Sequence, residues 1–215
     1  MPDDNQSNEL TFIFDFGWVL IDWNPRYLYE KIIVNDEAKL NYFLDVVCSP
    51  EWNSGVDGGY PISEAVEERV RRFPEFESYI RTFFVRWEEM IKGVIIGTVK
   101  ILSALHQSGY PLCALSNWSC ETYPRVVNRF EFFQWFDEII ISGCYKLAKP
   151  DPTIFELLLN RIHRTADQCL LVDDSVQNIQ AADQMGIQTI HFTSPQNLKK
   201  ELEQRKILPI MWECR

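Results

Sequence analysis

The sequence predicts an α/β fold: a parallel sheet with helices on both faces, interrupted by an inserted helical block. Three observations predict it. Five short apolar runs, at residues 11–16, 111–116, 138–142, 169–173 and 188–192, lack the polar alternation of half-exposed strands. Helical patterns separate the later runs, and strand–helix alternation implies right-handed crossovers and a parallel sheet. Residues 22–95 break that alternation, with about four helical patterns and no convincing strand.

The elements follow in order. The first run, Thr11-Phe12-Ile13-Phe14-Asp15-Phe16, is β-branched and aromatic, as a buried strand should be. In the block after it, Phe76, Tyr79, Ile80, Phe83, Phe84, Trp87, Met90 and Ile91 recur at i, i+3, i+4 and i+7, which predicts one amphipathic helix. Pro61-Ile62-Ser63-Glu64-Ala65 reads as a helix start. Residues 52–59, with Asn53, Ser54, Gly55, Asp57, Gly58 and Gly59, read as a loop. Gly93 and Gly97 bracket the return to the alternating part. There, residues 99–107, 152–161, 175–185 and 195–204 carry helical patterns. The aromatic run 130–136 reads as helix packing beside the third strand.

Length and composition narrow the function. At 215 residues the chain exceeds the usual ~150-residue domain by about half, and residues 22–95 account for the surplus. A 46% hydrophobic, 24% charged composition excludes a disordered chain. Thirty-one acids against 21 bases give a net charge of −10, which argues against nucleic acid and anionic membranes as partners. No apolar run spans a bilayer, and residues 1–10 lack the basic start and apolar stretch of a signal peptide, so a cytoplasmic protein is expected. The six cysteines form no C-x-x-C pair and are expected as reduced thiols. The Asn117-Trp118-Ser119 sequon has no secreted context. His106, His163 and His191 lie near no motif.

Functional residues of open α/β sheets sit at the carboxyl ends of strands. Three predicted strands end in residues suited to phosphate chemistry: Asp15, Ser116-Asn117 and Asp173-Asp174. A fourth signal, Lys149-Pro150, precedes a helix. Singly, each has a structural use: Ser-Asn pairs build turns, and an acidic pair suits a helix N-terminus. Jointly, a nucleophilic carboxylate, a hydroxyl, a cation and an acidic pair are the parts of phosphoryl transfer. Clustered carboxylates repel an incoming phosphate, so a divalent cation is expected among them, and Mg²⁺ suits such oxygen donors.

These residues occur in motifs that resemble the haloacid dehalogenase superfamily. Phe12 to Leu20, with Asp15 and Gly17, resembles its first motif, and Leu115-Ser116-Asn117 the second. Lys149-Pro150-Asp151-Pro152 resembles the third, and Val172-Asp173-Asp174-Ser175 with Asn178, Ala181, Ala182 and Gly186 the fourth. The Asp-x-Gly start is similar to that of the glucose-1-phosphate phosphatase-like branch. The resemblance implies a Rossmann-like core (residues 1–21 and 96–215) and an inserted helical cap (22–95). It implies a Mg²⁺-dependent phosphatase of a small phosphorylated metabolite, a sugar phosphate first, acting as monomer or homodimer.

By the resemblance, Asp15 is nucleophile and metal ligand, the Gly17 carbonyl and Asp174 are further ligands, and Asp173 binds through water or orients the site. Ser116 and Lys149 hold the phosphoryl group, with Asn117 beside them. At the cap, Trp52 either stacks on a sugar face or packs within the cap, and Asp57 either binds hydroxyls or shapes a turn; Trp18, beside Gly17, either lines the pocket or packs under the cap. One departure matters: most phosphatases of the superfamily carry an Asp general acid where this chain has Gly17. A dehalogenase, whose halide needs no proton, and a non-catalytic phospho-ligand binder are therefore the alternatives.

Overall fold

The computed structural model of the chain describes residues 10–207. The amino-terminal reading that excludes a signal peptide, and Cys214, fall outside them. Five strands form a parallel sheet in the order β5-β4-β1-β6-β7: β1 (Thr11–Phe14), β4 (Leu112–Ser116), β5 (Glu138–Ile141), β6 (Cys169–Asp173) and β7 (Gln188–His191). They are the five apolar runs. β1 is central, pairing Phe14 with Ala114 of β4 on one side and with Val172 of β6 on the other.

Both faces of the sheet are covered, which is why the strands lack polar alternation. Phe12 and Phe14 point into a core shared with Ile101, Leu102 and Leu105 of α6 (Ile96–Gln107) and with Leu198 and Leu202 of α10 (Pro195–Gln204). Ile13, between them, points into a second core with Ile154, Phe155 and Leu158 of α8 (Pro152–Ile162) and Ala182 of α9 (Val176–Gln184). Each fully buried side chain of this kind contributes about 1.5–3 kcal/mol. The aromatic run is a short 3₁₀ segment, Glu131–Trp135, whose Phe132 and Phe133 pack with Phe136 around Phe16.

Residues 22–95 depart from the sequence expectation in three ways. First, the block has strands: β2 (Ile21–Trp23) and β3 (Ile91–Val94) pair antiparallel at its two ends and form a neck. Three- and four-residue strands, one interrupted by Gly93, carry too little pattern to be seen. Second, the long helix over 76–91 ends early. α5 (Glu77–Val85) stops before Arg86, Trp87–Met90 is a 3₁₀ turn, and Ile91 belongs to β3. The apolar spacing continues because Trp87 and Met90 remain buried, Trp87 against Trp23 and Trp118. Third, the expected loop at 52–59 is mostly helix, α3 (Pro50–Asp57). Ser49 Oγ accepts from Trp52 N at 3.3 Å and Pro50 occupies the first turn, so a strong helix start outweighs the turn formers. The block also contains α1 (Arg26–Ile32), α2 (Glu37–Tyr42) and α4 (Ile62–Arg72), the last starting at the predicted signal.

The carboxyl end of α3 docks on the loops after β4 and β5. The Ser142 hydroxyl, in the short helix α7 (Ser142–Tyr145), donates to the Asp57 carbonyl. Two glycines permit the approach. A Cβ on Gly59, whose φ is +99°, would lie 2.9 Å from the Gly143 carbonyl, and one on Gly143 would lie 2.9 Å from the Trp118 carbonyl. The same proximity corrects the expectation of six reduced thiols. Cys120 and Cys144, with Cα atoms 4.9 Å apart, are joined in a disulfide across these loops. Nothing in their spacing signals that contact. Cys48, Cys113 and Cys169 are buried free thiols. Among the described residues no helix is long and apolar enough to cross a membrane.

Candidate active site

The sheet register builds the site. Asp15 follows β1, and its backbone N–H still donates to Val172 of β6 at 3.1 Å. Because β4 and β6 flank β1, Ser116 and Asp173 arrive on either side of Asp15 at the same carboxyl edge. Ser116 Oγ donates to Asp15 Oδ1 at 2.7 Å, and Phe16 N donates to the same oxygen at 2.6 Å. Lys149 comes from the loop before α8, held by Asn117. Asn117 Nδ2 donates to the Lys149 carbonyl at 2.8 Å, and Asn117 Oδ1 accepts from Lys149 N at 2.9 Å.

Lys149 is buried and its ammonium has three partners: Asp15 Oδ2 at 2.9 Å, Asp173 Oδ2 at 2.6 Å and the Leu115 carbonyl at 2.7 Å. Three donors meet three acceptors, so the ammonium is fixed in place. Asp173, fully buried, is occupied in turn. It accepts from Ser175 N at 2.9 Å and from Asn178 Nδ2 at 3.0 Å, besides Lys149.

Electrostatics separate the roles. Burial pushes the Asp15 carboxyl above the usual carboxylate range; Lys149 opposes this and the Asp173 charge adds to it. Burial works against the Lys149 charge, but the carboxylates of Asp15 and Asp173 outweigh it and hold the ammonium above its usual value. Asp174 is pushed up to about 6, by burial first and then by the charges of Asp15 and Asp173. One carboxylate oxygen from each of Asp15, Asp173 and Asp174 lies within 4.8 Å of the others. Three carboxylates against one ammonium leave an excess of two negative charges. A hard, oxygen-only set with that excess fits a small divalent cation.

A cleft opens beside Gly17 and Ser116 in two adjoining lobes of about 170 and 340 Å³. The smaller is lined by Gly17, Ser116, Asn117 and Asp57, with Trp23, Trp87 and Trp118 as aromatic walls. Trp18 and Asp57 line both lobes, as do Trp23 and Asn53. Trp18 has φ +59°, an outlier for a bulky residue, in a turn closed by Leu20 N and Ile21 N on the Phe16 carbonyl. Asp57 Oδ2 accepts from Asn53 Nδ2 at 2.7 Å.

Most predicted site residues thus converge: Asp15, Ser116, Lys149 and Asp173 by direct bonds, Asp174 with them, and Gly17, Trp18, Asn117 and Asp57 around the cleft. Trp52 does not join them. Its indole N–H donates to the Ala65 carbonyl at 3.3 Å, its ring packs on Phe83 and Phe84, and it faces a separate cavity with Arg69 and Arg72. Sequence reasoning missed Trp23 as a cleft residue, since it lies in no motif. It also set His191 apart from every motif. Pairing of Asp173 with His191 across β6 and β7 brings His191 Nε2 to 2.9 Å from the Asp174 carbonyl.

Known proteins resemble this chain in sequence and in fold. The sequence model of the haloacid dehalogenase-like hydrolases matches residues 34–186. A phosphoglycolate phosphatase of Vibrio cholerae is 30% identical over 190 residues, 84% of this chain and 82% of that protein. A sesquiterpene phosphatase of Aspergillus oryzae is 25% identical over 194 residues, 89% of this chain and 94% of that protein. Among solved structures, a HAD family enzyme of Bacteroides thetaiotaomicron in complex with magnesium and inorganic phosphate aligns with a TM-score of 0.65. It is 20% identical, over 86% of this chain and 94% of the other, a likeness of fold. The match over more than half of the sequence, on a fold whose central strand runs directly into Asp15, makes this chain a member of the haloacid dehalogenase-like hydrolases.

Proposed function

We propose that the protein is a Mg²⁺-dependent phosphatase of a small phosphorylated metabolite, a sugar phosphate first, acting through an aspartyl-phosphate on Asp15. One observation carries this reading: Asp15 directly follows the central strand, with a hydroxyl and an ammonium bonded to its carboxylate, inside a set of three converging carboxylates. The phosphatase relatives support phosphomonoester chemistry, and the magnesium and phosphate of the Bacteroides enzyme support the metal. The cleft lobes have the size for a small-molecule substrate.

Asp15, the Gly17 carbonyl and Asp174 would hold the cation. When bound, it supplies charge neutralisation between carboxylates and phosphate. Asp15 attacks phosphorus in line, and the alcohol oxygen leaves. Ser116 and Lys149, which already reach the Asp15 oxygens, donate to the phosphoryl oxygens that arrive there. Asp173 orients Lys149, because its own oxygens are taken by Lys149, Ser175 N and Asn178. Asn117 fixes the Lys149 backbone. Water then hydrolyses the intermediate.

In this reading residues 22–95 are a cap over a core of residues 1–21 and 96–215. The β2–β3 neck and the docking of α3 on Ser142 support the division.

Gly17 favours a second reading, halide displacement, because a halide leaves without a proton. The excess negative charge opposes it, since a metal-free site gains nothing from three carboxylates. A screen of sugar phosphates with Mg²⁺ or Mn²⁺ tests the choice. Metal-dependent phosphate release is expected. Chloride release from L-2-chloropropionate without metal, and no phosphate from any ester, would overturn it.

A further inference from the structure

The phosphatase reading leaves one proton without a donor. An alkoxide is a poor leaving group, and the position that most relatives of this type fill with an acid is Gly17. We infer that Asp57, carried on the helical block, is the general acid that protonates the leaving oxygen and then the base that accepts a proton from the attacking water. This inference rests on the phosphatase reading.

Geometry selects Asp57. Among the described residues lining the lobe with Gly17 and Ser116, it is the one ionisable side chain. It shares that lobe with Ser116, whose hydroxyl is bonded to Asp15, and with Gly17, two residues beyond Asp15. Its position is fixed twice, by Asn53 Nδ2 on its carboxylate at 2.7 Å and by the Ser142 hydroxyl on its carbonyl. Just beyond Asp57 the chain approaches the core closely, since a Cβ on Gly59 would lie 2.9 Å from the Gly143 carbonyl.

The surroundings suit an acid. Burial pushes the Asp57 carboxyl up to about 8; the Ser119 backbone N–H opposes this and the Asp15 charge adds to it. A carboxyl in that range carries a proton at neutral pH and gives it up readily, as general acid–base work requires. Two further polar atoms on the cleft walls are buried without partners, Asn53 Oδ1 and Trp23 Nε1.

The steps balance. An Asp15 oxygen bonds to phosphorus and the bond from phosphorus to the ester oxygen breaks. The electron pair stays on that oxygen, which takes the Asp57 proton and leaves as the alcohol. Asp57 is then a carboxylate. Water attacks phosphorus and gives a proton to Asp57, and the bond from phosphorus to Asp15 breaks. Inorganic phosphate leaves, with Asp15 ionised and Asp57 protonated as at the start.

The test compares leaving groups. kcat/KM for p-nitrophenyl phosphate and phenyl phosphate is measured with Mg²⁺ for the wild type and for Asp57→Asn. This ratio reads the first half-reaction, in which the alcohol departs. p-Nitrophenolate leaves with little help; phenolate needs the proton more. The inference expects the loss on Asp57→Asn to be at least about tenfold larger for phenyl phosphate, within the 10²–10⁴-fold range of general acid catalysis. Both esters are assayed on one preparation, so a partly unfolded sample lowers both rates alike and leaves the comparison intact. Equal losses on both esters, or none on either, would overturn the role of Asp57 while leaving the phosphatase reading in place. If the wild type releases phosphate from neither ester nor any sugar phosphate, the phosphatase reading fails and the inference with it.

Discussion

Replacing Lys149 by Met should destabilise the protein more than any single surface change, and the structure gives the size. Met keeps much of the stem volume but removes the ammonium that lies 2.9 Å from Asp15 and 2.6 Å from Asp173. Both carboxylates are then buried without a cation. Breaking a buried pair by deleting one partner costs about 3–5 kcal/mol. At about 2–4 °C per kcal/mol for a chain of this size, Tm should fall by roughly 6–20 °C. The deficit should depend on pH. Asp15 already has its carboxyl raised by burial, and without the opposing ammonium it rises further. A group whose folded pKa is raised favours the folded state while protonated and loses that contribution as pH increases. The gap to wild type should therefore be largest near pH 8 and shrink toward pH 5. Millimolar Mg²⁺ should narrow it by restoring positive charge between the carboxylates. The assay is differential scanning fluorimetry across pH, with and without Mg²⁺. A Tm within about 2 °C of wild type at pH 8, less than ~1 kcal/mol, would refute the claim that Lys149 neutralises the site.

Three further outcomes are expected. Asp15→Asn should lower kcat by roughly 10⁴–10⁶-fold, the range for losing a member of a nucleophilic set; turnover within tenfold of wild type would remove Asp15 as nucleophile. Asp174, pushed up to about 6, should take a proton in competition with the cation, so apparent Mg²⁺ affinity measured by calorimetry should decline as pH falls through about 6; an affinity flat from pH 7 to 5 would exclude Asp174 as a ligand. A Cβ on Gly17 meets nothing within 4 Å, so Gly17→Asp should fold normally and, combined with Asp57→Asn, restore phenyl phosphate turnover at least about tenfold; no recovery in a folded double variant would mean that a carboxylate at 17 does not reach the leaving oxygen.

The catalytic edge was legible because its residues lie at strand ends, and strands buried on both faces announce themselves as unbroken apolar runs. Asp15, Ser116 and Asp173 needed only the parallel order to be brought together, and Lys149 joined them through a motif. The helical block was harder. Its neck strands are short, and Ile91 falls on the helical spacing of α5 although it pairs with Trp23 in β2–β3. Asn53 and Gly55 read as turn formers, yet the Ser49 cap and Pro50 make them the middle of a helix. For Trp52, stacking on a sugar and packing in the cap were both open from the sequence; the helical turn sends it to Phe83 and Phe84, while Asp57, five residues on, lines the lobe with Gly17 and Ser116. Contacts between distant loops left no local signal. The Cys120–Cys144 disulfide and the approach of His191 to Asp174 depend on tertiary proximity that no spacing encodes.

The covalent intermediate on Asp15 is the central claim, and trapping it is the most direct test. The enzyme, loaded with Mg²⁺, is mixed with excess p-nitrophenyl phosphate, quenched in acid within milliseconds, digested and analysed by mass spectrometry, with Asp15→Asn as control. A single phosphoryl group on the peptide containing Asp15, absent from the control, is the predicted result. Steady phosphate release with no phosphoryl group on that peptide at any quench time would contradict the account.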